Sequence, residues 1–573
     1  MGMRATMPHI PLNVSQILRY GTRVHRDTQI TSVSNGELAV TSFGEMGARA
    51  AAFAHALHDE LGLSGDDRVA TLLWNCTEQL EVLFAAACSG LVFVPVNKQL
   101  MIDQIVHILN HSESKVLIVD PRLCDLVEQV VPQCPTITAL VVIDQLPEGT
   151  RQPYIALPVP IYSYEALLNE RPIRYDWPEL DETLACCLCY STGTTGAPKG
   201  VAYSHRSLYL HAMGLRSSDS FAVSHGEPFL CCVPIYHVLS WGVPLAALMC
   251  GAPLVLPGED VSPARLAWII EQTHPRVANG VPTLWISLMH HYQEHPPRRM
   301  SLQEIFVGGS PAPPVLIKEW EARYGVDVIH IWGMTETSPI GTVARPPSGV
   351  SGPARWAYRI SQGRFPASME YRVVSDGEEV TGTDRNQGEI QVRGNWVTAS
   401  YYHPPAQDAG GTAELFRGQP VDDAQDKFTE DGWLKTGDVG SITRDGFLTI
   451  EDRKRDVIRS GGEWIYSVQL ENLIMAHPLV VEAAVIGYPD AKWGERPLAV
   501  TVLADPNQAS KETAALLRQH LQEHLPGWML PEYWTFVPMI DKTSVDKFDK
   551  KDLRQHLAEG EFSIVKLKGP GQR

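Results

Sequence analysis

Apolar residues along this chain follow two alternating periods. Short runs such as Arg68-Val-Ala-Thr-Leu-Leu-Trp74, Val92-Phe-Val-Pro-Val96, Val116-Leu-Ile-Val-Asp120 and Leu140-Val-Val-Ile143 read as strands buried on both faces. Between them, Phe43–Leu57, Gln79–Gly90 and Ile102–Ser112 carry apolar side chains at helical spacing. A short strand, Leu38-Ala-Val-Thr41, precedes the first of these helices. Strand and helix alternate, which predicts a parallel sheet covered on both faces and closed by Leu140–Ile143. Residues 1–35 read as a lead-in without defined elements, and Pro147–Pro160 as a Pro-rich loop.

The alternation continues through a strand at Leu184–Cys189, a helix at His205–Arg216, strands at Phe229–Pro234 and Ala252–Leu256, and a helix at Pro263–Thr273. A further helix is expected to begin within Asn279–Thr283, and Ile305-Phe-Val307 to enter a glycine turn. Ser368–Val374 and Gly388–Gly394 predict a small β-rich subdomain, with Pro404–Asp426 a surface excursion. From about Arg455 a smaller α/β unit follows: helix Val468–Ala476, strands Val480–Gly487 and Ala499–Ala504, and helix Lys511–Leu525.

Composition narrows this picture. At 573 residues the chain needs several subdomains, and 44% hydrophobic residues suffice for large cores. A formal charge of −18 argues against nucleic-acid partners and anionic membranes. No stretch is long and apolar enough for a membrane span, and no secretory leader is visible. Met1-Gly-Met-Arg-Ala-Thr6 fits a myristoylation pattern only formally. The ten cysteines fall in apolar runs or stand alone without zinc-like spacing, so they read as small buried hydrophobes of a reducing, cytoplasmic compartment.

The candidate chemistry centres on Tyr190-Ser-Thr-Gly-Thr-Thr-Gly-Ala-Pro-Lys-Gly-Val201. Its glycines permit a tight turn that aims several backbone N–H groups at one point. The hydroxyls of Ser191, Thr192, Thr194 and Thr195 and the ammonium of Lys199 suit a polyphosphate. A P-loop NTPase is excluded, because Pro198 precedes the lysine and no Ser or Thr follows it. An ordinary Ser/Thr/Gly loop would account for the composition, but not for the motifs that follow it in order.

The stretch resembles the phosphate-binding signature of the acyl-adenylate-forming enzymes, which include acyl-CoA synthetases, luciferases and peptide-synthetase adenylation domains. The resemblance extends over residues 40–555. It implies an α/β fold: a large N-terminal domain, residues 1–454, of several subdomains with parallel sheets and a small β-rich part, and a small mobile α/β C-terminal domain, residues 455–573. Through it Ser191, Thr192, Gly193, Thr194, Thr195 and Lys199 are expected to cradle the phosphates of ATP. Gly308, Gly309, Ser310 and Pro311 would lie against adenine and the acyl group. In Val328–Ser338, similar to the family's aromatic-Gly-x-Thr-Glu motif, Trp332 replaces the usual tyrosine, followed by Gly333 and Met334. Thr335 would bond the α-phosphate and Glu336 would hold Mg²⁺, a hard cation suited to carboxylate oxygen.

His237 and Trp241, four residues apart and so on one face if helical, would border the acyl pocket. Asp438, in Thr436-Gly-Asp438, would accept from the ribose diol, with Arg453 beside it. Arg455 would sit at the hinge, and Gly461, Gly462, Glu463 and Trp464 along the pantetheine path of coenzyme A. The adenylation lysine falls at Lys547, where Asp541 and Asp546 depart from the family's proline and glycine. His290, His291 and His295 read as a solvated helix face, not a metal site.

The expected reaction is ATP-dependent activation of a small or medium-chain aliphatic acid and its transfer to coenzyme A. Three stretches resemble the medium-chain fatty-acid and 3-methylmercaptopropionate ligase branch: Tyr236–Pro244, Val255–Gly258 and Gly461–Ile465. The rivals are a stand-alone enzyme loading a separate carrier protein, and an impaired adenylate- or acyl-CoA-binding protein, the latter suggested by Asp546. Whether the chain pairs as a homodimer is left open by the sequence.

Overall fold

The computed structural model describes residues 3, 5–34, 36–143, 157–191, 197–375, 377–380, 387–404, 427–461, 463–542 and 548–567. Three sheets organise them. The first has seven strands in the order Ile161–Ser163, Ala139–Val142, Ser114–Val119, Arg68–Leu72, Val92–Pro95, Ala185–Ser191 and Lys199–Ser204. All pairs are parallel except the last, an antiparallel hairpin. From Arg68–Leu72 the chain crosses first to Val92–Pro95 on one side and then to Ser114–Val119 on the other. That reversal is where doubly wound sheets open a crevice at their carboxyl ends. Alternation read from sequence is therefore correct here, but the sheet extends beyond Leu140–Ile143 to Ile161–Ser163.

The second sheet has fourteen strands. Gln29–Ser34, Leu254–Leu256, Phe229–Cys231, Val277–Gly280, Glu304–Val307 and Asp327–Gly333 form its parallel half, edged by Glu37–Ser42. At Asp327–Gly333 pairing turns antiparallel and continues through Ile340–Val343, Gly363–Arg364, Phe447–Arg453, Leu434–Ile442, Gly388–Gly394, Met369–Ser375 and Glu378–Glu379. The β-rich subdomain is thus the antiparallel continuation of a parallel sheet.

Four expectations change. The supposed lead-in holds helix Val14–Val24 and strand Gln29–Ser34. The helix repeats Val14, Ile17, Leu18 and Gly21 on one buried face, a stripe hidden by polar residues between them. Strand Glu37–Ser42 belongs to the second sheet, not the first. Asn279 and Gly280 end a strand, and the helix starts at Pro282, whose missing N–H costs nothing at a first turn. Finally, Val238–Trp241 is no right-handed helix: all four residues have positive φ, from 39° to 58°. This buried left-handed turn costs about 1–2 kcal/mol per residue relative to αR backbone.

Local chemistry explains several boundaries. Ser42 and Glu45 form a reciprocal capping box at Phe43–His55, and Ser204 accepts from Ser207 N–H at the start of His205–Leu215. The third sheet has six strands and belongs to the C-terminal part. Its long hairpin, Val480–Asp490 with Gly494–Leu503, carries Ser467–Met475 and Lys511–Gln522 on one face. Lys550–Glu559 packs on the other through Leu553 and Leu557.

Candidate active site

Asp438, Arg453 and Trp332, the residues expected at the nucleoside, are carried by the fourteen-stranded sheet. Asp438 and Arg453 are direct partners on adjacent strands, and Arg453 Nε meets Asp438 Oδ1 at 2.7 Å. The other carboxylate oxygen, Oδ2, accepts from Trp332 Nε1–H at 2.7 Å. Trp332 is buried among Phe365, Met369, Val392 and Leu448, with its rim against Gly341. A Cβ at Gly341 would come within 2.4 Å of that ring, so glycine is required there. The three predicted residues therefore meet.

The loop expected against adenine follows Glu304–Val307. His330 Nε2, from the neighbouring strand, accepts from Ala312 N–H at 3.2 Å and fixes the loop's exit. Burial holds the His330 imidazole down at about 4, so it stays neutral and can accept. Gly308 is buried against Ile331, whereas Gly309 and Pro311 are exposed.

Ser191 and Lys199, two of the residues expected to meet phosphate, are carried by the seven-stranded sheet. Residues 192–196, which include Thr192, Gly193, Thr194 and Thr195, lie outside the described residues. Their flanks are defined: Ser191 and Lys199 pair across the hairpin. Lys199 Nζ lies 5.3 Å from the centre of the Tyr401 ring. Tyr401 in turn donates its hydroxyl hydrogen to Glu336 Oε1 at 2.5 Å. Tyr203, on the strand leaving the loop, donates to the Thr335 carbonyl at 2.6 Å. Lysine, tyrosines and the Thr335–Glu336 pair form one cluster.

Glu336 is buried, and among the described residues no hydrogen bond reaches its Oε2. A buried carboxylate with this oxygen open, beside the hairpin expected to hold phosphate, fits a Mg²⁺ that keeps its remaining positions for water and phosphate. Lys427 adds a cation: it lies in the field of Glu336, Asp438 and Glu389, and Nζ approaches the carbonyls of Lys435 and Thr436 at 3.4 Å. Burial lowers its pKa against the pull of those carboxylates.

Around His237 the backbone is braced by two buried asparagines. Asn75 Nδ2 donates to the carbonyls of Cys231 and Val233, and its Oδ1 accepts from Ile235 N–H at 2.9 Å. Asn279 Oδ1 accepts from Val233 N–H. His237 is half-buried and Trp241 buried in the main core, joined through the left-handed turn and not by a helical face. Tyr236 is flanked by Lys98, whose Nζ stands 4.9 Å from that ring and 3.7 Å from Trp74; burial brings this amine down to about 7.

The C-terminal residues are more dispersed. Arg455 and Glu463 are exposed, and Trp464 is 36% exposed. Gly461 has φ +61°, and a Cβ there would lie 2.6 Å from the Trp493 ring, so in this conformation an indole covers the glycine. Gly462 and Lys547 lie outside the described residues. Asp456, next to the expected hinge, accepts from Arg554 Nη2 at 2.5 Å, which ties it to the last helix.

Sequence reasoning missed Tyr203, Tyr401, Lys427, Asn75, Asn279 and His330. The tyrosines stand in unremarkable contexts, and only tertiary structure brings them to Thr335 and Glu336. Asn75 did carry a signal, a polar residue just past the end of a buried strand at the switch point.

The model of the family described as AMP-binding enzyme matches residues 22–402, and that of the AMP-binding enzyme C-terminal domain matches residues 469–547. The chain belongs to the AMP-binding enzyme family. It is an AMP-forming acyl-CoA ligase, ATP-dependent and with coenzyme A as co-substrate. It is 36% identical over 562 residues to a 3-methylmercaptopropionyl-CoA ligase of Ruegeria pomeroyi, covering 97% of this chain and 99% of that one. A medium-chain-fatty-acid–CoA ligase of Ectopseudomonas oleovorans is 36% identical over 558 residues, covering 96% and 97%. Among solved structures, an anthranilate CoA ligase in complex with anthranoyl-AMP superposes with a TM-score of 0.82 at 23% identity, over 98% of this chain and 100% of that one; this likeness concerns the fold. No helix among the described residues of this family member is long and apolar enough to cross a membrane.

Proposed function

We propose that this acyl-CoA ligase activates a small or medium-chain aliphatic carboxylic acid. The observation that carries the site assignment is the convergence of Trp332, Arg453 and Asp438 at one corner and Lys199, Tyr401 and Glu336 at the other. Asp438 accepts from the ribose diol while Arg453 and Trp332 hold its carboxylate in place. Lys199 and the loop before it bind the outer phosphates, and Thr335 bonds the α-phosphate. Glu336 would hold Mg²⁺, which would supply charge neutralisation at the phosphate oxygens.

The acid enters between His237, Trp241 and Gly308 and attacks the α-phosphorus, which forms the acyl–phosphate bond and releases pyrophosphate. Lys547 stabilises the charge developing on the reacting oxygens, and most of the acceleration comes from positioning. The division at residues 454/455 then lets the C-terminal domain turn about Arg455, withdraw Lys547 and bring the Gly461–Trp464 segment to the thioester path. Coenzyme A thiolate displaces AMP from the acyl carbon. A soluble cytoplasmic enzyme, acting alone or as a homodimer, is the setting this reading favours. The aliphatic class rests on the relatives named above and on the apolar surroundings of Trp241.

The test is pyrophosphate release with ATP, Mg²⁺ and a series of acids from propionate and 3-methylmercaptopropionate through octanoate to cinnamate, with and without coenzyme A. Release with one aliphatic group, accompanied by its acyl-CoA, is expected. Adenylate without thioester would redirect the acceptor to a carrier protein. If no acid supports release while ATP still binds, and Asp546→Gly restores it, the native chain is a binder.

A further inference from the structure

A cluster of metal-ligating side chains stands far along the chain from the residues above, at the end of helix Lys511–Gln522. His520, Glu523 and His524 follow the pattern His-x-x-Glu-His. The helix frays at Gln522, where Glu523 N–H reaches back to the His520 and Leu521 carbonyls and His524 N–H to Leu521. This continues the turn just far enough to keep positions 520, 523 and 524 on one side. One donor atom from each residue lies within 4.8 Å of the other two. A tetrahedral zinc-class site, with bonds near 2.0–2.1 Å, needs donors about 3.4 Å apart. Small rotations of two exposed side chains close that difference.

The chemical state of the donors matters as much as their spacing. His520 Nε2 is buried and, among the described residues, has no hydrogen-bond partner. A buried ring nitrogen left without a partner costs free energy, and a metal ion would relieve it. His477, from the segment after helix Ser467–Met475, sets its ring 5.3 Å from His520 at 74°. Its Nδ1 accepts from Leu479 N–H, which leaves its proton on Nε2, so it supports His520 edge-on and does not compete for the ion.

A second cluster provides the contrast. His556 has Asp552 at Nε2 and Glu561 at Nδ1, so both ring nitrogens donate to carboxylates, and those partners raise its pKa. That imidazolium has no lone pair to offer a metal. Among the described residues no carboxylate hydrogen bond occupies a ring nitrogen of His520 or His524.

We propose that His520, Glu523 and His524 form a binding site for a divalent transition-metal ion of the zinc class, with water in the fourth position. Two imidazoles and one carboxylate suit Zn²⁺ better than Mg²⁺ or Ca²⁺, which prefer all-oxygen sites. The ion would clip the frayed end of the helix to its own last turn and brace it against the His477 segment. It is separate from the Mg²⁺ assigned to Glu336.

The untagged full-length protein, treated with chelator and dialysed, is titrated with Zn²⁺ by calorimetry, and its thermal midpoint is read with and without the ion. One saturable site in the micromolar range or tighter is expected, with a rise in midpoint. His524→Ala and Glu523→Gln, both at exposed positions that leave the core untouched, are each expected to weaken binding at least tenfold. His556→Ala is expected to leave it unchanged. Cobalt substitution should give the visible d–d bands of a tetrahedral site in the native chain and not in His520→Ala. Absence of saturable binding overturns the proposal. So does binding of equal strength in His524→Ala, which would assign the ion to other surface histidines.

Discussion

Trp332 Nε1–H donates to Asp438 Oδ2 at 2.7 Å, with both side chains buried. The aromatic residue of the aromatic-Gly-x-Thr-Glu stretch and the one expected to hold the ribose are thus a single hydrogen-bonded unit. With Arg453 on the other oxygen, the carboxylate is fixed before nucleotide arrives. Trp332→Phe removes a hydrogen bond to a charged acceptor, worth about 1.5–3 kcal/mol. The expected result is a fall in kcat/KM for ATP of about 10–100-fold, mostly through KM. Steady-state kinetics of Trp332→Phe and Trp332→Tyr check this; equal ATP kinetics in the phenylalanine variant and the native chain would disprove the coupling.

Tyr401 connects the two charges of the phosphate side. Its hydroxyl bonds Glu336 while its ring faces Lys199. Tyr401→Phe keeps the ring and removes the bond, so Glu336 gains freedom at the position proposed for Mg²⁺. About a tenfold loss of pyrophosphate-exchange rate is expected, roughly one charge-assisted hydrogen bond. Glu336→Gln is expected to lose at least 100-fold and to demand more Mg²⁺ for half-maximal rate. A Mg²⁺ titration of both variants decides it.

His107 and His111 stand one turn apart on helix Ile102–His111, each on a different arm of the phosphate hairpin. His107 Nε2–H donates to the Pro198 carbonyl at 3.1 Å, and His111 Nδ1 is hydrogen-bonded to the Tyr190 hydroxyl at 2.9 Å. We expect His107→Ala to raise KM for ATP several-fold with little change in kcat, because it loosens the loop without touching substrate. An unchanged KM would reduce the contact to packing.

Four histidines, three of them buried and His111 half-buried, bear on acid stability. Burial holds His111, His205 and His330 at about 4 and His211 at about 3, against 6.5 when unfolded. Between those values the unfolded chain binds more protons, so stability is fully present above pH 6.5 and is lost as pH falls toward 4. Glu81 opposes this, since burial raises it to about 7 and it favours the folded state on acidification. Burial also raises Glu451, Asp452 and Glu471, which act with Glu81, and lowers His25, His107 and His477, which act with the four histidines. Seven histidines thus stand against four carboxylates, and a net loss is expected. Urea midpoints at pH 7.5, 6 and 5 should fall steadily; a flat profile would contradict the burial of these rings.

Much of the molecule was legible in the sequence because its elements are long and periodic. Pro263–Thr273 and Gly388–Gly394 match the structure residue for residue. What escaped had physical causes. Helix Val14–Val24 hides its stripe among polar residues, and strand Glu37–Ser42 reads correctly in itself yet pairs with a sheet whose next strand is over two hundred residues away. The left-handed turn at Val238–Trp241 contains no glycine before Gly242, so nothing local announces positive φ. At the candidate site, the motif residues could be named from sequence because each carries its own chemistry. Tyr203 and Tyr401 were missed because their significance lies in whom they touch.

The division of the site between two sheets has a mechanical consequence. Trp332, Asp438 and Arg453 ride on the fourteen-stranded sheet, while Ser191 and Lys199 ride on the seven-stranded one. A nucleotide spanning them would be gripped by two jaws that belong to separate hydrogen-bonded ladders. The two ladders share one apolar core, and among the described residues the hydrogen bonds that join them beside the site include Tyr203 to the Thr335 carbonyl and Tyr402 N–H to the Gly200 carbonyl at 2.8 Å. The distance from ribose to triphosphate is therefore a tolerance set by that seam. Slack introduced there would misalign the two ends of ATP even with every contacting side chain intact.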